Sequence, residues 1–258
     1  MILLLGGTGD SRELARYLTA AGVEVLLTAV TEYGAQLAGE TGVSRVLSGA
    51  LTLDKLRELV KEQEIRTIVD ATHPYAVEIS RNAMALAEEM AIGYCRYERK
   101  GIDLEESPLI YRVSCLEEAA GKAAELGDNI FLTIGSKGLE QFLKAAGIRG
   151  KRVVARVLPD RGIIEKCLDL GLTAREIIAM QGPFTYELNQ AMYRQTAAAV
   201  VVTKESGHAG GTDSKLAAAV DMGIPVVIIT RPKLSYPNKC ATFQEVLDYL
   251  ARSERTRF

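Results

Sequence analysis

The chain has 258 residues, of which 48% are hydrophobic and 25% charged, with 31 basic and 33 acidic side chains. So near-neutral a balance gives no general attraction to nucleic acid or membrane surfaces, and an aromatic content of 6% without tryptophan is poor for base stacking. No apolar run reaches the roughly 18 residues of a membrane helix, and the opening Met1-Ile-Leu-Leu-Leu-Gly-Gly lacks the flank and length of a signal peptide, so a cytoplasmic protein is expected.

Short β-branched or Leu-rich runs alternate with longer segments of helical period, which predicts an α/β protein with mostly parallel strands. In the first half, strands are expected near Ile2–Leu5, Val23–Thr28, Arg45–Leu47, Thr67–Asp70 and Ile92–Tyr97. Helices are expected over Ser11–Ala21, Thr52–Gln63 and Val77–Met90. A helix at Leu116–Leu126 and the turn Gly127-Asp128-Asn129 mark the expected domain boundary, giving domains 1–127 and 128–258. Beyond it, strands are expected near Ile130–Ile134, Val153–Val157, Ile177–Met180, Ala198–Thr203 and Val226–Thr230. The helices there cover Leu139–Ala146, Ile163–Leu170, Tyr186–Thr196, Asp213–Met222 and Phe243–Ala251. Each half opens with an apolar strand and a glycine turn, which suggests two Rossmann-like domains rather than one wide sheet.

Ligands of open parallel sheets collect at the carboxyl ends of strands. In the first half that filter selects Gly6-Gly7-Thr8-Gly9-Asp10-Ser11-Arg12, Thr28, Thr31 and Asp70-Ala-Thr72-His73-Pro74-Tyr75. In the second it selects Gly135-Ser136-Lys137, Arg156 with Pro159, Gln181-Gly-Pro183, Lys204-Glu-Ser206-Gly207 and Arg231, a set with four basic residues.

The glycines at 6, 7 and 9 allow positive φ and close approach of a ligand. Asp10 is the expected N-cap, with Glu13 three residues on, and free N–H groups there would favour an anion. Yet Arg12 stands where the dinucleotide fingerprint has its third glycine, and no acidic residue ends the second strand. A turn that merely connects strand to helix is the competing reading. The second opening, Gly135-Ser136-Lys137 before a helix, is a better phosphate site, and Arg156 and Lys204 would add charge for a pyrophosphate or 2′-phosphate. These cations favour NADP over NAD, although any one of them also reads as a solvated helix end.

Pro74 suits a first helical position capped by Thr72 or His73. His73 and Tyr75 are then candidate proton donors, beside the reading that they only fix a loop. For Asp70 a structural role stands next to a functional one, and His208 sits among glycines. Four dispersed cysteines and two histidines argue against a disulfide framework and a metal site.

Six blocks in order carry a resemblance: Gly6-Gly-Thr8-x-Asp10-Ser-Arg12, Asp70-Ala-Thr-His-Pro-Tyr-Ala76, Leu132-Thr-x-Gly-Ser136, Ala155-Arg-Val-Leu-Pro159, Gln181-Gly-Pro-Phe184 and Val202-Thr-Lys-Glu-Ser-Gly207. With Gly210-Gly211, Lys215 and Pro225-Val-Val227, the chain resembles the precorrin-6A reductase family of cobalamin biosynthesis from Met1 to about Pro232. The resemblance implies two Rossmann-like domains facing each other across a cleft, with an edge strand open to exchange. It also implies NADPH-dependent reduction of one ring double bond of precorrin-6A, or of cobalt-precorrin-6A, to the dihydro form.

Such a substrate carries many carboxylates. Gly7, Thr8, Asp10, Ser11, Arg12, Thr72, His73 and Tyr75 are therefore its expected binding set. Gly135, Ser136, Lys137, Arg156, Pro159, Lys204, Ser206 and Gly207 are the expected NADPH set. Two rivals compete: a short-chain dehydrogenase or epimerase, disfavoured because no tyrosine has a lysine four residues on, and a non-catalytic nucleotide-sensing module.

Overall fold

Four apolar residues in a row can be fully buried in a strand covered on both faces. A computed structural model shows Ile2–Leu5 as such a strand, β1, inside a six-stranded sheet. The structure describes residues 1–30, 32–39, 43, 45–99, 107–205 and 212–255. The chain divides into two units, Met1–Lys100 with Pro232–Phe258, and Gly101–Arg231.

In the first unit, β1 is followed by α1 (Gly9–Ala20), β2 (Val25–Ala29), α2 (Glu32–Gly39), β3 (Arg45–Ser48), α3 (Leu53–Glu62), β4 (Thr67–Asp70), α4 (Val77–Glu89) and β5 (Gly93–Tyr97). Alternate residues of β1 feed two cores. Ile2 and Leu4 pack with Leu14, Leu18 and Val69, whereas Leu3 and Leu5 pack with Leu56, Ile68 and Leu86.

The second unit contains β6 (Ile110–Val113), α5 (Leu116–Leu126), β7 (Asn129–Thr133), α6 (Leu139–Leu143), β8 (Arg152–Val157), α7 (Arg161–Asp169), β9 (Ile177–Ala179), α8 (Tyr186–Thr196), β10 (Val200–Lys204), α9 (Thr212–Asp221) and β11 (Val226–Ile229). Then β12 (Lys239–Cys240) and α10 (Phe243–Arg255) return to the first unit.

The two sheets run β12-β5-β4-β1-β2-β3 and β6-β11-β10-β7-β8-β9, and every recorded pair is parallel. Both have the doubly wound order 3-2-1-4-5-6, whose direction reverses beside the first strand. The sixth strands break chain order. β6 follows β5 yet pairs with β11, and β12 follows β11 yet pairs with β5.

The observed division therefore lies at Lys100 and Pro232, not at Gly127–Asp128. The turn there joins α5 to β7 within a single sheet. Three elements were absent from the expected set: α2, β6 and β12. The α2 segment contains Gly34 and ends at Gly39, and β12 has only two residues, so periodicity carries little signal for either. Beside β12, the Cys95 and Cys240 sulfurs stand 3.1 Å apart as buried thiols.

Candidate active site

Gly6 is built for contact rather than for a ligand. A Cβ there would meet the Thr28 carbonyl oxygen at 2.6 Å and Leu27 Cδ1 at 2.7 Å. Gly7 has φ +117°, and Gly9 opens α1. The helix is capped by Thr8, whose hydroxyl accepts from the Ser11 N–H at 3.0 Å, so Asp10 is not the N-cap as expected. Asp10 instead pairs with Arg99 at 3.2 Å.

Ser11 is buried, and its hydroxyl accepts from the N–H groups of Gly7 (3.2 Å) and Thr8 (3.0 Å) while donating to Thr8 O (2.8 Å). Two N–H groups expected to receive an anion are thus satisfied inside the turn. Thr8 and Arg12 remain partly exposed beside it.

The end of β4 holds a buried polar network in which Asp70 takes the structural role weighed for it, with Arg96 as the unexpected member. Arg96 on β5 exposes 1% of its surface and Asp70 on β4 none. Their 2.8 Å ion pair is extended by Thr72, Ser80 and Tyr94, whose hydroxyls donate to Asp70 at 2.7, 2.6 and 2.9 Å. Arg96 also donates to Thr72 O at 2.9 Å and approaches Glu98 Oε2 at 3.3 Å.

Burial pushes the Asp70 carboxyl up, but Arg96 and the Ser80 and Thr72 donors outweigh it and hold it below its ordinary value. Asp70 and Thr72 therefore serve the scaffold. In sequence Arg96 appears only as a lone arginine in the strand Gly-Tyr-Cys-Arg-Tyr, and its burial shows only in the packing.

This network holds the start of the Thr72–Tyr75 loop, and His73 and Tyr75 follow at its outer side. His73 is exposed and Tyr75 half-buried, with ring centroids 5.5 Å apart. Neither Thr72 nor His73 caps a helix. α4 starts at Val77 with Ala76 at its cap, because a turn from His73 O to the Ala76 N–H (2.8 Å) comes first.

In the second unit, Gly135 has φ +77° and leads into one 3₁₀ turn, Ser136–Gly138, then into the five-residue α6. So short a helix offers less dipole than the longer one expected. Lys137 and Pro159 are exposed and Ser136 is half-buried. Lys204, at the end of β10, has its ammonium pKa lowered by burial and by the nearby Lys137 charge. Arg231 pairs with Glu205. Thr31, Ser206, Gly207, His208, Gly210 and Gly211 lie outside the described residues.

Among the described residues of the expected cofactor set, Arg156 is the least solvated, at 6% exposure. Its Nη1 donates to Asn189 Oδ1 at 2.8 Å and its guanidinium lies over the Phe184 ring at 3.8 Å. Burial lowers its pKa to about 10. Lys215, on α9, exposes 7%. Burial, then the Arg156 charge, bring its pKa down to about 8. Among the described residues no carboxylate meets either cation, and no acceptor meets the Lys215 ammonium. The sequence reading noted Lys215 only as part of the resemblance. In a helix reading Lys-Leu-Ala-Ala-Ala, a lysine suggests a solvated face.

A family model described as precorrin-6x reductase CbiJ/CobK matches residues 1–251. The chain belongs to this family. It is 42% identical over 257 residues to the cobalt-precorrin-6A reductase of Priestia megaterium, covering 99% of this chain and all of the relative. To the cobalt-precorrin-6A reductase of Methanothermobacter thermautotrophicus it is 37% identical over 253 residues, or 96% of this chain and 82% of that one. A solved structure described as CobK precorrin-6A reductase superposes with a TM-score of 0.77 at 25% identity, covering 98% of this chain and 96% of that one. The protein is thus an oxidoreductase of the precorrin-6x reductase family with two Rossmann-like units, as the resemblance implied. Among the described residues no helix is long and apolar enough to cross a membrane.

Proposed function

We propose that the protein reduces one ring double bond of precorrin-6A to the dihydro form in cobalamin biosynthesis, with NADPH as reductant. The observation that carries the cofactor is Arg156, a buried cation with no carboxylate partner among the described residues, on the second strand of a doubly wound sheet. Cations in that setting fit a phosphorylated nucleotide. Lys204, Lys137 and the Gly135–Ser136 turn stand at the ends of β10 and β7 of the same sheet. We therefore assign NADPH to the second unit.

NADPH, when bound, supplies the hydride and leaves as NADP⁺. The chain's own part is to hold the partners and to deliver one proton to the reduced ring. His73 and Tyr75, outside the sealed Asp70–Arg96 network, are the groups we assign to that proton. Arg12, the Thr8 hydroxyl and His73 supply donors for ring carboxylates, so the macrocycle is assigned to the first unit. The two relatives at 42% and 37% identity carry cobalt-precorrin-6A in their names, which supports the cobalt-loaded ring as substrate.

The test is NADPH oxidation with and without the macrocycle. Turnover only with both present is expected; NADPH binding without turnover would favour the nucleotide-sensing module. Lys204→Ala is expected to raise KM for NADPH, and Arg12→Ala to raise KM for the macrocycle. If Lys137→Ala and Lys204→Ala leave NADPH affinity unchanged while Arg12→Ala abolishes it, the assignment to units is wrong.

A further inference from the structure

Residues 71–76 link β4 to α4 without regular structure, and His73 and Tyr75 stand on this loop. Side chains from two other strand ends grip its backbone. The Thr8 hydroxyl, beyond β1, donates to the Ala71 carbonyl at 3.4 Å, and Arg96 Nη2, on β5, donates to the Thr72 carbonyl at 2.9 Å. The Thr72 carbonyl shares a rigid peptide plane with the His73 nitrogen, so holding one fixes where the other leaves the sheet.

Balancing the Asp70 charge does not call for an arginine. Asp70 Oδ1 accepts from the Thr72 N–H at 3.0 Å and the Thr72 hydroxyl at 2.7 Å, and Oδ2 from Ser80 at 2.6 Å and Tyr94 at 2.9 Å. An ammonium in place of Arg96 Nη1 would supply the missing charge. The guanidinium does something further. Nη1 serves Asp70 Oδ1 while Nη2 reaches the Thr72 carbonyl, and one planar group fixes the angle between the two bonds.

The guanidinium is itself held in place from far along the sequence. Tyr236 lies in the stretch of chain before β12, with its ring centroid 5.4 Å from Arg96 Cζ, and packs on the core containing Leu3, Leu5 and Ile68. Two residues on, the Asn238 carbonyl accepts from the Arg96 N–H at 2.9 Å and its Nδ2 donates to the Tyr94 carbonyl at 3.1 Å. Resting on the proton-donor reading above, we propose that Arg96 is a positioning residue for the reduction: backed by Tyr236, its second nitrogen sets the loop that presents His73 and Tyr75 to the ring.

The experiment compares variants that disturb the same network on different sides, assayed with NADPH and the macrocycle below each melting temperature. Arg96→Lys keeps a charge for Asp70 and gives up the fork to the Thr72 carbonyl. Its kcat is expected to fall about tenfold to a hundredfold, with KM for NADPH within about twofold of wild type. The solvent deuterium isotope effect on kcat is expected to rise, because proton delivery is the step disturbed. Tyr94→Phe removes a donor from Asp70 Oδ2, away from the loop. It is expected to lower the melting temperature while kcat stays within about twofold of wild type.

Tyr236→Leu and Tyr236→Phe repeat the comparison without touching the ion pair, and decide the matter if Arg96→Lys does not fold. The leucine variant is expected to lose kcat and the phenylalanine variant, which keeps the ring, to retain it. Equal turnover by these two overturns the proposal, as does an equal loss of kcat in Arg96→Lys and Tyr94→Phe, which would mark general loosening. If His73→Gln or Tyr75→Phe lowers kcat while Arg96→Lys does not, the proposal fails and the proton-donor reading stands. If His73→Gln and Tyr75→Phe both turn over like the wild type, the two readings fall together.

Discussion

Arg96 Nη1 lies 2.8 Å from Asp70 Oδ1, joining two adjacent parallel strands through side chains that are sealed from solvent. The value of such a pair lies less in its net attraction than in the cost of breaking it. Arg96→Met would leave Asp70 charged and buried. A loss of about 3–5 kcal/mol is expected, measured by urea unfolding. Adding Asp70→Asn should recover part of that loss, because the stranded charge is removed. A single variant as stable as the wild type would show that Arg96 does not carry the Asp70 charge.

The same pair sets an acid limit. Burial raises the Asp70 pKa, but Arg96, Ser80 and Thr72 bring it below its ordinary value. The stabilisation is therefore present above the unfolded value of about 3.9 and is lost as pH falls through the lower folded value. Unfolding free energy followed from pH 6 downward should fall more steeply below about pH 4 in the wild type than in the Asp70→Asn, Arg96→Met double variant. Equal slopes would remove Asp70 from the acid response.

Glycines of the first turn differ sharply in what they tolerate. Gly6→Ala places a methyl 2.6 Å from a backbone carbonyl of β2. The expected cost is about 1–3 kcal/mol. Gly9→Ala meets nothing closer than Arg12 Nη2 at 3.8 Å. There a change within about 0.5 kcal/mol is expected. Thermal unfolding of the two variants makes the comparison directly, and equal destabilisation would contradict it.

Ser11→Ala removes the acceptor shared by the Gly7 and Thr8 N–H groups. Destabilisation of about 1–3 kcal/mol is expected from leaving them unsatisfied. If Ser11 instead touched the substrate, the variant would keep its stability and show only a raised KM for the macrocycle.

The central strands were legible because parallel strands covered on both faces read as unbroken apolar runs, as in Ile2-Leu-Leu-Leu5 and Val226-Val-Ile-Ile229. Edge strands lack that signature: Ile110-Tyr-Arg-Val113 is partly exposed and Lys239-Cys240 is two residues long. At the site, glycine turns were readable from composition, but their hydrogen bonds were not. Thr8 competes with Asp10 for the cap, and the outcome depends on Ser11 folding back onto the turn. Arg96 and Lys215 were overlooked for one reason. A charged side chain in sequence suggests solvent, and only three-dimensional packing shows that these two are inside.

The crossed sixth strands have a consequence for how the protein is made. β12 and α10 belong to the first unit but are translated after the entire second unit, so the sheet containing β1 stays open along its β5 edge until Pro232–Phe258 has been synthesised. An unpaired strand edge is a template for association with other chains. During translation the second unit, contiguous from Gly101 to Arg231, can close first, while the segment made earliest is the last to be completed. Removing residues from 232 onward would therefore damage the sheet at the opposite end of the sequence, and a fragment ending at Lys100 would expose the β5 edge, where Cys95 meets Cys240 in the whole chain.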